Sequence, residues 1–245
     1  MLNINNFGII IEARTGSNRF KKKILKKIYK KTSVLEFLIK RIKNQKKIKK
    51  IIVATTTNNN DDIIEQICKK NKIKCFRGSE KNLIKRVSDA AKFYKLSHIV
   101  QATSDNPFFD ITIFKKLLKV YMSGKYDFAS NSLIRTYPIG SDIRIFSVKK
   151  LISTSHTVIG IKKQHTCYYF LKNFKKLKYF NLYASKKYIR PNIRITIDFK
   201  EDLKLLKIIV SKLGPKKINL LNIIQFLDKN PKLKKLNSKH PTHYE

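Results

Sequence analysis

The sequence predicts an α/β fold in which helices flank a mainly parallel central sheet. Apolar runs of strand length alternate with segments of helical spacing over residues 1–125, at the pitch of right-handed strand–helix–strand units. Only 7 glycines and 6 prolines interrupt the 245 residues, and no long linker or internal repeat is apparent. We therefore expect one domain over 1–245, which is long enough to bury a large core.

Buried strands are expected throughout the first half of the chain. Each is a short, continuous apolar run, which is typical of parallel strands that are covered on both faces. The first, FGIIIE at 7–12, ends on the acidic Glu12. The other three strands of this half are predicted at 50–57, 73–76 and 98–103.

Each of these strands is followed by a segment with helical spacing. Ser33 and Glu36 stand in capping-box relation at the start of the first helix, and Asp110 is placed to cap the last one. Another helix begins with acidic residues and ends with lysines, which matches the helix dipole. The predicted helices of this half cover 33–44, 61–71, 80–94 and 111–122.

The regular alternation changes after residue 125. We expect a smaller subregion over 126–200 and C-terminal helices with a tail over 201–245. The tail is polar, so His240 and His243 are expected to be solvated. The predicted strands of this second half are 126–130, 137–147 and 194–198, and its clear helices are 201–213 and 218–230.

The formal net charge of +39 suggests a polyanionic partner such as nucleic acid. However, lysine far outnumbers arginine, whereas bidentate recognition of phosphates and bases favours arginine. The lysines are also spread along the whole chain. A basic nucleic-acid-binding protein therefore stays an alternative, but we do not expect a nucleic-acid partner.

The same composition indicates a cytoplasmic protein. No segment approaches the roughly 20 consecutive apolar residues of a membrane span. The N-terminal apolar run lacks a basic leader and is followed at once by Glu12, which argues against a signal peptide. Cys68, Cys75 and Cys167 do not have the spacing of paired metal ligands, so we expect reduced thiols.

Polar clusters follow three of the predicted strands. They lie at 14–19, at 55–57 and at 104–105, after the first, second and fourth strands. Ligands of open α/β sheets bind beyond the carboxyl ends of the strands. The coincidence of the three clusters therefore predicts a ligand site at this edge of the sheet.

The loop after the first strand has the residues of a phosphate site. Gly16 permits close approach of the backbone beside Ser17, and Arg14, Arg19 and Lys23 offer donors to several phosphate oxygens. The nucleotide-binding pattern GxxxxGK[ST] is absent. Taken alone, the loop fits a basic surface turn equally well.

Two aspartates predict a metal site. Asp105 follows the fourth strand, where one carboxylate suits Mg²⁺ that is held against substrate phosphates. Asp198 also lies between an apolar strand pattern and a helix. An N-cap of that helix is the equal alternative for Asp198.

Ordered motifs along the chain resemble the cytidylyltransferase family that includes spore-coat polysaccharide biosynthesis proteins, CMP-KDO synthetases and acylneuraminate cytidylyltransferases. The similarity covers most of residues 7–213. The segments that carry it are IIIEARTGSNRFKKKIL (9–25), IIVATTTNNNDD (51–62), CFRGSEKNLIKRVSDAAK (75–92), VQATSDNPFFD (100–110), YDFASNSLIRTYPIGSDIRIFS (126–147) and RITIDFKEDLKLL (194–206).

The resemblance implies a Rossmann-like, GT-A-like nucleotidyltransferase fold, with the nucleotide bound by residues 1–125 and the acceptor and dimer contacts in 126–200. It also implies transfer of CMP from CTP to a sugar such as an ulosonic or nonulosonic acid, with Mg²⁺ as cofactor and release of pyrophosphate. The product would serve surface polysaccharide or glycan biosynthesis. A homodimer formed through the region after residue 130 is expected as well.

Site residues follow from the matching motif positions. The catalytic set is Arg14, Lys23 and Asp105, and the metal ligands are Asp105 and Asp198. The expected nucleotide-binding residues are Gly16, Ser17, Arg19, Thr55, Arg77, Ser79 and Gln101. The expected acceptor-binding residues are Arg135, Tyr137, Gly140, Asp142 and His165.

The chain departs from the family pattern at three places. Phe20, Lys21 and Lys22 replace a Leu-Pro-Gly sequence before Lys23. Arg144 stands where an acidic residue is common, and Gln164 replaces the Glu of a Glu-His pair. These departures motivate a further alternative, a relative that binds nucleotide without turnover.

Overall fold

A central sheet and its flanking helices account for most of the chain, which the computed structural model describes over residues 2–17 and 19–240. The strands within those ranges are β1 (Phe7–Glu12), β2 (Lys27–Tyr29), β3 (Thr32–Ser33), β4 (Lys50–Thr56), β5 (Lys74–Gly78), β6 (His98–Thr103), β7 (Phe128–Ser130), β8 (Arg144–Ser147) and β9 (Tyr179–Asn181).

Seven of these strands form one sheet in the order β5-β4-β1-β6-β8-β7-β9, and β2 pairs with β3 in a separate hairpin. Within the large sheet, β8 runs antiparallel to its neighbours β6 and β7, and the other pairs are parallel. The predicted α/β architecture is confirmed. Strands from both predicted halves of the chain share this sheet.

The helices pack on both faces of the sheet. The helix predictions in the first half are confirmed to within a few residues, including the capping box of Ser33 with Glu36 and the N-cap Asp110. The described helices are α1 (Val34–Lys43), α2 (Asp62–Lys70), α3 (Leu83–Phe93), α4 (Ile111–Tyr121), α5 (Val148–Ser155), α6 (Tyr168–Lys172), α7 (Lys200–Leu213), α8 (Leu220–Lys229) and α9 (Pro231–Lys234).

The burial of β1 explains why its sequence is continuously apolar. Every residue from Phe7 to Glu12 is buried. Ile9 and Ile11 belong to the core layer that contains side chains of α1, α4 and α7, whereas Ile10 packs in the opposite layer with α3 and α5. A strand covered on both faces has no solvent side on which polar residues would alternate.

The predicted strand at 194–198 is wrong. The segment is extended but makes only a single bridge, between Arg194 and Ile139, instead of a ladder. The chain that contains Ile139 turns away from the segment at the next residue, Gly140, which has a φ of +94°. Gly140 also lies very close to the segment, because a Cβ built on it would be 2.6 Å from the backbone nitrogen of Thr196. The segment then reaches the end of β6, where Ile197 N donates to the carbonyl of Asp105 at 2.9 Å.

The same turn shortens the predicted strand at 137–147 to Arg144–Ser147. The hairpin of β2 and β3 was not predicted, because its two short strands carry no apolar run. The edge strand β9 was also missed, because its three residues are too few to show a pattern. No helix among the described residues is long and apolar enough to cross a membrane.

The C-terminal tail packs against the fold at His240, so the prediction of a solvated side chain is wrong there. The imidazole stacks on Phe199 with the ring centroids 3.9 Å apart, and its Nε2 lies 3.1 Å from a carboxylate oxygen of Glu201. Packing against an aromatic ring overrides the polar character of the segment. His243 lies outside the described residues.

Candidate active site

Two adjoining cavities lie beyond the carboxyl ends of β1 and β6. The larger, of about 580 Å³, reaches toward β8 and is named the sheet cavity. The smaller, of about 490 Å³, reaches under the loop after β1 and is named the loop cavity. Residues common to both linings are Glu12, Arg19, Leu83, Thr103, Asp105, Gln164 and His165.

Lys23 brings the two predicted metal ligands together. Its Nζ donates to Asp105 Oδ2 at 2.9 Å and to Asp198 Oδ1 at 2.9 Å. Arg19 Nη2 donates to the same Asp198 oxygen at 2.7 Å. The loop after β1, the end of β6 and the start of α7 therefore meet at one point, although their sequences are far apart.

The charges at this point stabilise one another. Burial alone would raise the pKa of Asp198, but Lys23 and Arg19 outweigh it and hold that pKa well below its usual range. Burial would likewise lower the pKa of Lys23, and the carboxylates of Asp105 and Asp198 raise it instead. Lys23 is therefore a cation and Asp198 an anion at neutral pH.

Asp198 is held from its other side by a second set of contacts. Its Oδ2 accepts from Arg194 Nη2 at 2.8 Å. The cap of α7 is made by Asp202, whose Oδ2 accepts from the backbone nitrogens of Asp198 at 2.8 Å and of Phe199 at 2.9 Å. The Asp198 side chain therefore faces Arg19, Lys23 and Arg194 and caps no helix end.

Asp61 anchors the loop after β1, and it was not identified from the sequence as a site residue. Its Oδ1 accepts from the backbone nitrogen and the hydroxyl of Thr15, each at 2.7 Å, and its Oδ2 accepts from the Thr56 hydroxyl. Burial raises the pKa of Asp61, but the hydrogen bonds from Thr56 and Thr15 outweigh it and lower that pKa. A buried carboxylate thus joins this loop to the end of β4.

The predicted residues of the loop lie around the loop cavity. Arg14, Gly16, Ser17, Arg19 and Lys23 line it. A Cβ built on Gly16 would meet no atom within 4 Å, so glycine is not required there for space. The Arg14 guanidinium donates to the side-chain oxygen of Gln164 at 2.8 Å.

Gln101 lies in a buried network at the base of the sheet cavity. It donates to Glu12 at 2.7 Å and accepts from Arg144 at 3.3 Å and from the Cys167 thiol at 3.1 Å. Burial raises the pKa of Glu12, despite nearby arginines that lower it. Glu12 was visible in the sequence as the end of an apolar run, but nothing there indicated that it lines a cavity.

The predicted acceptor residues divide into two groups. Asp142 and His165 line the sheet cavity. Burial lowers the pKa of His165, and Arg14 lowers it further. Arg135 pairs in bidentate fashion with Asp142, with both contacts at 3.0 Å, but is absent from the described lining.

Tyr137 and Gly140 belong to the predicted acceptor residues that line neither described cavity. The ring of Tyr137 is buried, which raises the pKa of its phenol to about 12. Gly140 is the close-approach point against the segment at 194–198. Gly140 thus lies against Thr196, which lines the sheet cavity, and a role of either residue in acceptor binding stays a prediction.

Three of the predicted nucleotide-binding residues are not brought to either described cavity. Thr55 is fully buried in β4. Arg77 donates to the carbonyl of Thr56 at 3.0 Å and pairs with Asp62 at 2.6 Å, and the Ser79 hydroxyl accepts from a backbone nitrogen of the following turn. Their roles stay predictions. The structure adds Glu12, Asp61, Arg194 and Asp202 to the residues that form or support the site.

Comparison with known proteins matches nearly the whole chain to one family. The family model described as Cytidylyltransferase matches residues 8–235. An uncharacterized protein of Methanocaldococcus jannaschii is 34% identical over 94% of this chain and 93% of its own length. The spore coat polysaccharide biosynthesis protein SpsF of Bacillus subtilis is 29% identical over 93% of this chain and 96% of its own length.

A solved structure shows the same fold. The cytidylyltransferase from Leptospira borgpetersenii superposes with a TM-score of 0.88 and 32% identity, covering 98% of this chain and 99% of that one. The fold is therefore the Rossmann-like nucleotidyltransferase fold. With a family model that spans nearly the whole sequence, the chain belongs to the cytidylyltransferase family.

Proposed function

We propose that this protein transfers CMP from CTP to a sugar and releases pyrophosphate. The observation that carries the proposal is the meeting of Lys23 with Asp105 and Asp198 beside the arginine-bearing loop after β1. Cations for a triphosphate and carboxylates for a metal ion adjoin one cavity of nucleotide size. Membership of the cytidylyltransferase family supports the choice of CTP.

The carboxylates fit Mg²⁺ by their chemistry. Asp105 and Asp198 present oxygens that already hold a cation, the Lys23 ammonium, at 2.9 Å from each. Mg²⁺ in nucleotide sites takes one or two carboxylates and completes its shell with phosphate oxygens and water. The described residues form no cluster of three or more metal-ligating side chains, so substrate and water oxygens would supply the remaining positions. The ion would neutralise charge on the phosphates.

The chain's own residues then act by positioning and electrostatics. Arg14, Arg19 and Lys23 bind the triphosphate, and the acceptor hydroxyl attacks the α-phosphorus in line. The bond from the acceptor oxygen to phosphorus forms as the bond to pyrophosphate breaks, and the hydroxyl proton is released to water. Arg14 and Lys23 stabilise the charge on the departing pyrophosphate, so no nucleophilic side chain is required.

The acceptor is proposed to be an ulosonic or nonulosonic sugar acid used in surface polysaccharide or glycan biosynthesis. Arg144 lines the sheet cavity and supplies a cationic side chain on the acceptor side. The SpsF relative is named for spore coat polysaccharide biosynthesis, which supports this role. A cytoplasmic homodimer remains part of the proposal.

The test measures pyrophosphate release with CTP, Mg²⁺ and a panel of sugar acids, and ATP, GTP and UTP are compared in parallel. We expect release with CTP and at least one acceptor, and its abolition in D105N. The matched control is D228N, because Asp228 pairs with Arg190 and Lys234 away from both cavities. D228N keeps the wild-type rate.

Two results separate the alternatives. Absence of pyrophosphate with every acceptor, together with tight duplex or single-strand binding at physiological salt, would support a nucleic-acid-binding protein. CTP binding without turnover would indicate the inactive relative. If D105N retains the wild-type rate, Asp105 does not hold the metal ion.

A further inference from the structure

The C-terminal segment after α9 contacts the site from behind. Asn237 is only 2% exposed and lies beyond the residues 8–235 that the family model matches. Its Nδ2 donates to Asp202 Oδ1 at 2.8 Å and to the carbonyl of Arg194 at 3.1 Å. One side-chain amide thus bridges the start of α7 and the extended segment before it.

These contacts continue to Asp198. Asp202 is fully buried and accepts from Arg194 Nε at 2.9 Å as well as from the backbone nitrogen of Asp198. Arg194 Nη2 in turn donates to Asp198 Oδ2 at 2.8 Å. Asn237 is therefore connected to the Asp198 carboxylate by three hydrogen bonds, through Asp202 and Arg194. Its bond to the Arg194 carbonyl also constrains the backbone of the segment that leads to Asp198.

The same segment makes a second contact with the site through an aromatic ring. His240 stacks on Phe199 at a centroid distance of 3.9 Å. The guanidinium carbons of Arg19 and Arg194 each lie 5.9 Å from the centroid of that ring. Both arginines bind Asp198, so the tail supports the carboxylate at two places.

The hydrogen bonds divide the two oxygens of Asp198 between different partners. Oδ2 is occupied by Arg194, while Oδ1 faces Arg19 and Lys23 beside Asp105. If Asp202 and Arg194 lose their support, the Asp198 carboxylate is free to rotate away from this arrangement. Outer hydrogen-bonding partners of metal ligands control affinity for this reason.

We propose that Asn237 is a positioning residue, which orients Asp198 through Asp202 and Arg194 for the cation and the triphosphate. The inference rests on one part of the proposed function, which is that Asp105 and Asp198 hold the metal ion. It assigns a role in the site to the tail at 236–240, outside the residues 8–235 that the family model matches.

The test compares N237A with N230A. Asn230 precedes α9 in the same C-terminal region, donates through Nδ2 to the carbonyl of Phe226 at 2.7 Å and lines neither described cavity. Binding of Mn²⁺ in the presence of CTP is measured by electron paramagnetic resonance, and thermal unfolding is measured without metal. We expect N237A to bind Mn²⁺ roughly tenfold more weakly than the wild type, as outer-partner removal does at other metal sites. N230A binds Mn²⁺ as the wild type does, even where its unfolding temperature falls.

The steady-state readout separates positioning from general destabilisation. In N237A the Mg²⁺ concentration for half-maximal pyrophosphate release rises, while KM for the acceptor stays at its wild-type value. N237S replaces N237A if the alanine variant does not fold, because serine retains one hydroxyl donor.

Equal Mn²⁺ affinity in N237A and N230A would overturn the inference, and so would a wild type that binds no Mn²⁺. If the wild type releases no pyrophosphate with any acceptor while N237A still weakens Mn²⁺ binding, the proposed function fails and the positioning role stands.

Discussion

Lys22 adopts a backbone conformation that glycine commonly provides. Its φ of 53° and ψ of 31° lie in the left-handed region, which costs a residue with a Cβ about 1–2 kcal/mol. The resemblance places glycine at this position of the family pattern. The chain therefore retains the turn that presents Lys23, although Lys21 and Lys22 stand in place of Pro-Gly.

Replacing Lys22 with glycine should stabilise the protein. We expect K22G to raise the free energy of unfolding by about 1 kcal/mol, because relief of the left-handed strain exceeds the added entropy of the unfolded chain. Urea denaturation measures the change. Lys21 is not among the described residues with positive φ, so K21G is the control and lowers the same free energy. Equal effects of both substitutions would refute this account of the turn.

Asp198 should make stability depend on pH in the acid range. Its pKa is depressed in the folded protein, so its contribution is present above the unfolded pKa of about 4 and is lost as the pH falls toward the folded value. We expect D198N to lower the free energy of unfolding at pH 7 by about 3 kcal/mol, since three cationic side chains lose a shared partner.

The difference between D198N and the wild type should shrink as the pH falls below about 4. Chemical denaturation at a series of pH values follows it. A difference that stays constant from pH 7 to pH 3 would mean that Asp198 is not stabilised as an anion in the folded state.

At the scale of elements, the loop after β1 is held in place by hydrogen bonds that connect it to β4 and to the start of α2. Asp61 connects these elements through Thr15 and Thr56. Its neighbour Asp62 is 52% exposed and pairs with Arg77 at the surface. Of these two adjacent aspartates, Asp61 therefore anchors the loop, and Asp62 forms a surface ion pair.

D61A should loosen the loop, and D62A should not. We expect D61A to lower the free energy of unfolding by roughly 2 kcal/mol, because buried donors lose their acceptor, and to raise KM for CTP. D62A changes stability by less than about 1 kcal/mol, as is typical of surface ion pairs. Denaturation and steady-state kinetics measure both. Unchanged KM for CTP in a folded D61A would show that Asp61 does not position the loop.

At the scale of the whole molecule, the net charge of +39 leaves most lysines without an acidic partner of their own. The few acidic residues are concentrated in ion pairs, including those of Asp105 and Asp198 at the site. Repulsion among the remaining cations opposes the compact state and is screened by salt.

Added salt should therefore stabilise the protein. We expect the thermal midpoint to rise between about 10 mM and 300 mM NaCl, because the screening length shortens over that range from about 30 Å to less than 10 Å. Differential scanning calorimetry measures the shift. A falling midpoint would mean that surface ion pairs outweigh the repulsion.

The predictable part of the fold came from segments with a strong local pattern. The apolar run at 7–12 and the capped helix starting after Ser33 were identified correctly, because each carries its own local signal. The segment at 194–198 misled the prediction because an apolar alternation also suits a single extended chain that packs beside Gly140. The hairpin of β2 and β3 had no such signal in its lysine-rich sequence.

For the site, the sequence alone determined which residue types follow which strands. Arg14, Arg19, Lys23 and Asp105 were singled out in this way, whereas Asp198 was singled out at the end of a predicted strand that does not form. The structure places all five residues around the adjoining cavities. Strand ends are local features, and parallel strands bring their carboxyl ends to one edge of the sheet.

Only the tertiary structure decided which buried groups support that arrangement. Asp61 and Asn237 are distant in sequence from Thr15 and Asp202, the residues they hold. Asp202 is only eight residues from Arg194, but nothing in its local pattern indicates that it binds that side chain. Their roles arise because burial forces each donor and acceptor to find a partner, and the partner is set by how the chain folds back on itself.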